Sequence, residues 1–157
     1  MRIQGFTAKG LWIALAALGL AGSARAQNDT FWLVPPETRF GAPSRGGEAG
    51  LPNDGPKIVI EAPPPNEKVV TPPINITVDF VPRDQGAQAQ PSSFKVKVKF
   101  LGGWMDVTGE VLKHTTVSAE GVKVNGAMLP KGDHTVRIEI ADQKGRVTVT
   151  QLAFTVT

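Results

Sequence analysis

The sequence of residues 56–157 predicts an all-β domain, an antiparallel β-sandwich of about seven strands. Apolar and polar residues alternate without a break over residues 74–80, 94–100 and 136–140. Proline, glycine and aspartate interrupt the chain between these runs, and no segment of ten or more residues shows the helical period of 3.6. A period of two indicates strands that bury one face and expose the other.

Four weaker runs complete the predicted set of strands. They cover residues 57–62, 111–118, 121–125 and 146–156. In the last run Val147 and Val149 occupy odd-numbered positions, whereas the apolar residues Leu152, Phe154 and Val156 occupy even-numbered positions. We therefore expect a β-bulge near residues 150–151, because one extra residue would return both sets to the same side.

Residues 129–146 carry a proline-glycine turn, a His-Thr pair that opens a strand, and an Asp-x-x-Gly hairpin before the last strand. This segment resembles the end of bacterial immunoglobulin-like domains, and the resemblance extends over roughly residues 56–157. It implies an immunoglobulin-like (Ig-like) sandwich and specifies the fold more than an activity. The chain has no cysteine and no tyrosine, so it lacks the inter-sheet disulfide and the tyrosine corner of antibody domains.

The first 26 residues predict a cleavable signal peptide. Arg2 and Lys9 provide the positive start, residues 11–20 are apolar, and Ala24 and Ala26 are the small residues expected before a cleavage site at Gln27. The apolar run is shorter than the roughly 20 residues that a transmembrane helix needs. We expect an exported protein, periplasmic or extracellular, with no membrane span after cleavage.

Residues 27–55 are rich in proline and glycine and predict a flexible linker. Phe31 and Trp32 begin a short apolar piece within this linker, followed by Pro35 and Pro36. This piece is either a docking motif for a partner or a segment that packs back on the sandwich.

Charge and cysteine content exclude several function classes. The net charge of +3 comes from the signal peptide, and the remaining chain balances 14 basic against 14 acidic residues. A neutral mature chain gives no general electrostatic argument for nucleic-acid binding. The absence of cysteine excludes thiol catalysis and thiolate metal sites.

We find no catalytic constellation and predict that the protein is not an enzyme and needs no cofactor. His134 lies beside Asp133, but nothing in the sequence nominates a nucleophile. His114, His134 and two methionines are scattered along the chain, although small copper carriers also use such a sandwich. A copper carrier therefore stays a third alternative, and we nominate no metal ligand.

The best candidate for a binding surface is a row of three lysines, Lys95, Lys97 and Lys99, on the polar side of one strand. We expect the same outer face to collect Arg137 and Arg146, with one acid, Glu139. This face either holds an anionic partner or is a solvated surface that discourages aggregation.

A second candidate is Trp104, which follows two glycines in a predicted loop over residues 101–106. A tryptophan on such a loop either stacks on a sugar or folds under to close the end of the core. The first hypothesis is therefore a monomeric, non-catalytic envelope protein that binds an unknown envelope protein or an anionic glycan. The second is a carbohydrate-binding or adhesive module that uses Trp104.

The signal peptide yields a direct prediction. Full-length chain expressed in a bacterial host should accumulate outside the cytoplasm with Gln27 as its first residue, as intact-mass spectrometry would measure. Changing Ala24 and Ala26 to bulky residues should block cleavage, and an unprocessed cytoplasmic product from the unaltered chain would contradict the prediction.

Overall fold

The computed structural model describes residues 30–37, 50–84, 86–100 and 102–157, so the predicted signal peptide and much of the predicted linker lie outside the described residues. The described residues form nine strands: β1 (Phe31–Trp32), β2 (Lys57–Ala62), β3 (Val69–Val70), β4 (Ile74–Val81), β5 (Lys95–Phe100), β6 (Gly103–Asp106), β7 (Gly121–Met128), β8 (Gly132–Ala141) and β9 (Val147–Val156). One short α-helix, α1 (Thr108–His114), connects β6 to β7, and a 3₁₀ turn (Pro91–Ser93) precedes β5.

The strands form two packed sheets. The four-stranded sheet has the order β1-β7-β4-β2, and the five-stranded sheet has the order β3-β9-β8-β5-β6. The two-residue strands β1 and β3 pair in parallel with β7 and β9, whereas the other pairings are antiparallel. The other seven strands of the described chain have four or more residues. The predicted all-β sandwich of about seven strands is confirmed.

The core lies between the sheets and consists of the apolar residues of each alternating run. Val78 on β4, Val98 on β5 and Ile140 on β8 have no exposed surface. Their neighbours in sequence point to the opposite side of each sheet, as the period of two requires. Burial of these side chains is the main favourable contribution to folding, because no disulfide assists it.

The predicted bulge in the last strand is wrong. The β8–β9 ladder runs from Gly132 opposite Val156 to Ala141 opposite Val147 without a shift of register. Thr148 takes the inward position and is buried, while Val147 and Val149 are half-buried on the other side. An uninterrupted ladder thus tolerates one buried threonine, because a bulge would leave ladder hydrogen bonds unmade.

The predicted strand over residues 111–118 is also wrong, since residues 108–114 form α1. Val111 is its buried residue and packs into the core. Oδ1 of Asp106 accepts a hydrogen bond of 2.9 Å from the Thr108 amide, which satisfies one of the free N–H groups at the start of the helix. A helix of seven residues is too short to show a helical period in the sequence.

Part of the predicted linker belongs to the sandwich. Phe31, Leu33 and Val34 are buried, and the Leu33 amide donates a hydrogen bond to the carbonyl oxygen of Met128. The Phe31 ring stacks on the ring of His114 at a centroid distance of 3.8 Å. For these residues, packing back on the sandwich is the alternative that the structure shows.

The structure predicts different roles for Phe31 and Trp32. Phe31→Ala should lower the free energy of unfolding by about 3 kcal/mol, because it removes a buried ring. Trp32→Ala should cost less than about 1 kcal/mol, since Trp32 is 43% exposed. Urea titrations of both variants measure the difference, and equal losses would contradict the assignment of different roles to the two side chains.

Candidate functional site

The outer face of the five-stranded sheet collects most of the candidate residues. Lys97 on β5 lies opposite Arg137 on β8 and opposite Asp106 on β6, and Lys99 lies opposite Trp104. Because alternate residues of a strand share a face, Lys95 projects to the same side. We define the cationic face as Lys95, Lys97, Lys99, Trp104 and Arg137.

Trp104 lies on strand β6 rather than on the predicted loop. Its half-buried side chain shares the outer face with Lys99, its partner in the ladder, whereas the next residue, Met105, packs against the core. Trp104 therefore does not close the end of the core. The sequence did not reveal this placement, because the short run of residues 103–106 contains no clear alternation.

Two cations lie against the ring of Trp104. The guanidinium carbon of Arg137 is 4.1 Å from the ring centroid, and the Lys99 ammonium nitrogen is 6.0 Å from it. Both distances fall within the range of cation–π attraction. Arg137 starts two strands away from Trp104, so its side chain reaches across β5 toward the edge of the sheet.

Arg137 has no carboxylate partner within the described part of the chain. No ion pair joins its guanidinium to a described acid, and its Nε atom is buried without a hydrogen-bond partner. A guanidinium has five N–H donors and is charged at every physiological pH. Arg137 is thus a permanent cation for which no carboxylate counterion lies among the described residues.

Acidic residues compensate only part of the face. The carboxylate of Glu139 lies 3.6 Å from the ammonium of Lys95. The expectation that Glu139 is the only acid there is wrong, because Asp106 lies opposite Lys97. Hydrogen bonds from Thr108, and after them the charges of Lys97 and Lys95, hold the pKa of Asp106 below its ordinary value. The four cations therefore exceed the two anions.

Arg146 does not belong to the cationic face, and this part of the prediction is wrong. It lies at the β8–β9 hairpin, where its Nε donates a hydrogen bond of 2.7 Å to Asp142 and its Nη1 forms an ion pair with Asp84. Burial acts to raise the pKa of Asp142, but hydrogen bonds from Arg146 and from the Lys144 amide outweigh it, so this pKa lies below its ordinary value. Arg146 thus ties the hairpin to the segment before β5.

The two histidines occupy structural positions. His134 is only 2% exposed, and its Nε2 donates a hydrogen bond of 2.7 Å to the carbonyl oxygen of Pro130. His114 stacks on Phe31 and lies 3.4 Å from a carboxylate oxygen of Glu110. Within residues 30–37, 50–84, 86–100 and 102–157, no three His, Asp or Glu side chains are grouped to hold a metal ion.

Comparisons with known proteins add no family. No protein-family model matches the chain, and no curated protein matches it significantly. In the described ranges, no helix has the length and apolar character needed to cross a bilayer.

The burial of His134 predicts a pH dependence of stability. Burial lowers the pKa of His134, while the hydrogen bond to Pro130 and the charge of Asp133 act in the opposite direction. The unfolded chain therefore binds the proton more readily, and stability falls as the pH drops below about 6.5, by at most about 1.4 kcal/mol per pH unit for one proton.

Urea titrations of the unaltered protein and of His134→Gln between neutral and mildly acidic pH measure this dependence. Glutamine retains a donor for the Pro130 carbonyl but does not titrate. The native protein should lose more stability over this range than the variant does, and parallel curves would refute the assignment to His134.

Proposed function

We propose that the chain is an exported, non-catalytic binding module of the Ig-like type, and that its cationic face binds an anionic partner. The observation that carries the proposal is the position of Arg137, which rests on Trp104 with no carboxylate partner among the described residues. A charged group held in place without a counterion is suited to a ligand that supplies one.

The strand order supports the Ig-like assignment. Strands β2, β4 and β7 are neighbours in one sheet, and β5, β8 and β9 are neighbours in the other. This is the arrangement of strands A-B-E and C-F-G in Ig domains. In this chain β1 occupies the position beside β7 where strand D would lie, and it pairs in parallel.

The chemistry of the face favours oxyanions. A guanidinium pairs with carboxylate or phosphate through two parallel hydrogen bonds, and the ring of Trp104 restricts its orientation. Lys97 and Lys99 add positive charge on the same face. A solvated face that only discourages aggregation does not require an arginine packed on a tryptophan, which favours the binding interpretation.

A carbohydrate-binding module is the second candidate. It is favoured by the half-buried Trp104, whose ring lies on the outer face beside polar side chains. Because Arg137 already stacks on this ring, an acidic sugar suits the face better than a neutral one. The structure offers no such support for a copper carrier, since His134 is buried and His114 packs on Phe31.

Binding to the cationic face is tested by Arg137→Gln, with Lys144→Gln as the control that removes one positive charge from the exposed hairpin. Immobilised mature protein is incubated with envelope extract, and the captured molecules are identified by mass spectrometry. Arg137→Gln should weaken capture at least about tenfold, the equivalent of one charged hydrogen bond, and Lys144→Gln should not.

Salt and enzymatic treatment of the extract refine this test. Raised salt should weaken capture by the native protein, because exposed charges are screened. Protease treatment removes a protein partner, and periodate oxidation removes a glycan. Capture of the same molecules by the native protein and Arg137→Gln, with the same salt dependence, would eliminate the cationic face as the site.

A further inference from the structure

The four edges of the two sheets differ in their protection against added strands. β1 and β3 have only two residues each and are soon followed by paired prolines, Pro35-Pro36 and Pro72-Pro73. Three consecutive prolines follow β2. Short length and proline are the usual means of preventing a further strand from pairing with an edge.

Strand β6 is twice as long as β1 or β3, and no proline follows it before α1. Its four residues, Gly103 to Asp106, include no proline and no lysine, and no other strand of the described chain pairs with its outer side. The Val107 amide donates to the carbonyl oxygen of Val96, which lies opposite it in the same register. Because hydrogen-bonded pairs alternate in an antiparallel ladder, the N–H and C=O groups of Trp104 and Asp106 point away from β5.

Different surfaces lie on the two sides of this open edge. On the outer side Arg137 and Lys99 lie against the ring of Trp104, so two cations reach β6, which also carries the carboxylate of Asp106. On the inner side a groove of about 560 Å³ separates β6 and α1 from the β1 segment. Its lining combines apolar side chains, including Trp32, Leu33 and Met105, with the charged Asp106, Glu110 and Lys113.

We propose that β6 is a strand-addition site for an extended segment of a partner protein. The segment has an acidic residue beside Trp104 and apolar residues on either side of it. The proposal rests on the proposed binding function of the cationic face and specifies the partner. Successive residues of an added strand point alternately to the two sides of a sheet, so the acid meets Arg137 and Lys99 while its neighbours enter the groove.

The open backbone groups favour a protein over a glycan. Only a peptide presents N–H and C=O groups at the spacing of the free groups of Trp104 and Asp106. A glycan would use the cationic face but would leave these backbone groups and the groove without a specific role. Of the nearby carboxylates, Glu110 is paired with Lys113 at 2.6 Å, and the charged Asp106 lies opposite Lys97, whose positive charge offsets its repulsion of an acidic residue.

Strand addition is tested with a five-residue peptide whose two ends are chemically blocked. The peptide has glutamate at its centre and valine directly before and directly after the glutamate. A second peptide with lysine at the centre is the control ligand. Each is titrated into isotopically labelled mature protein, and the amide signals and hydrogen-exchange rates of Trp104 and Asp106 are followed by NMR. In the native protein the acidic peptide should slow exchange of these two amides, and the lysine peptide should bind at least about tenfold more weakly.

The matched variants are Asp106→Pro and Asp106→Ala. Both remove the carboxylate, but only proline removes the outward N–H group. Asp106→Pro should therefore bind the acidic peptide about tenfold more weakly than Asp106→Ala does. If Asp106→Pro does not fold, the exchange rates of the native protein still decide the question.

Each other outcome contradicts the proposal in an identifiable way. Peptide binding that Arg137→Gln weakens, without protection of the Trp104 and Asp106 amides, would overturn strand addition and leave the cationic face as a binding site. No binding of either peptide, together with unchanged capture by Arg137→Gln, would overturn both proposals. A concentration-dependent dimer that Asp106→Pro abolishes would show that a second copy of the chain occupies β6, and would overturn the choice of partner.

Discussion

Burial of alternate apolar side chains between two sheets is the interaction on which the rest of this structure depends. The chain has no disulfide to stabilise it, so the core must supply the stability of the described domain. Residues such as Val98 and Ile140 fix which side of each strand faces inward. Because successive residues of a strand point to opposite sides, the residues between these buried ones lie on the outer face of the sheet. The candidate binding surface therefore depends on the packing of the core.

The register of the β5–β6 hairpin then brings the cationic face together. Lys99 and Trp104 are close in sequence and become direct cross-strand neighbours, because β5 and β6 pair antiparallel with Phe100 opposite Gly103. Arg137 joins them from a distant part of the chain through the β5–β8 ladder. The cation–π contacts follow from this alignment, since a shift of one residue would turn Trp104 into the core.

Charge is distributed unevenly between the hairpin end of the sandwich and the outer face. At the β8–β9 hairpin, Arg146 is neutralised by Asp142 and Asp84, and the buried carboxylate of Asp142 accepts several hydrogen bonds. These groups are structural because they satisfy one another. On the outer face Arg137 has no such described counterion, and the adjacent β6 edge retains open backbone groups. This difference is the basis on which we propose the outer face, and not the hairpin, as a binding surface.

The sequence alone determined the fold class and the inward and outward sides of the long strands, because side-chain alternation depends only on neighbouring residues. It therefore also placed Lys95, Lys97 and Lys99 on one face. It did not determine α1 or the continuous β9 ladder, since a seven-residue helix has no readable period and ladder continuity depends on the partner strand. Only the tertiary structure decided that Arg146 is paired at the hairpin and that Arg137 lies on Trp104. These contacts join residues far apart in the chain, and their geometry is fixed by strand register and packing rather than by local sequence.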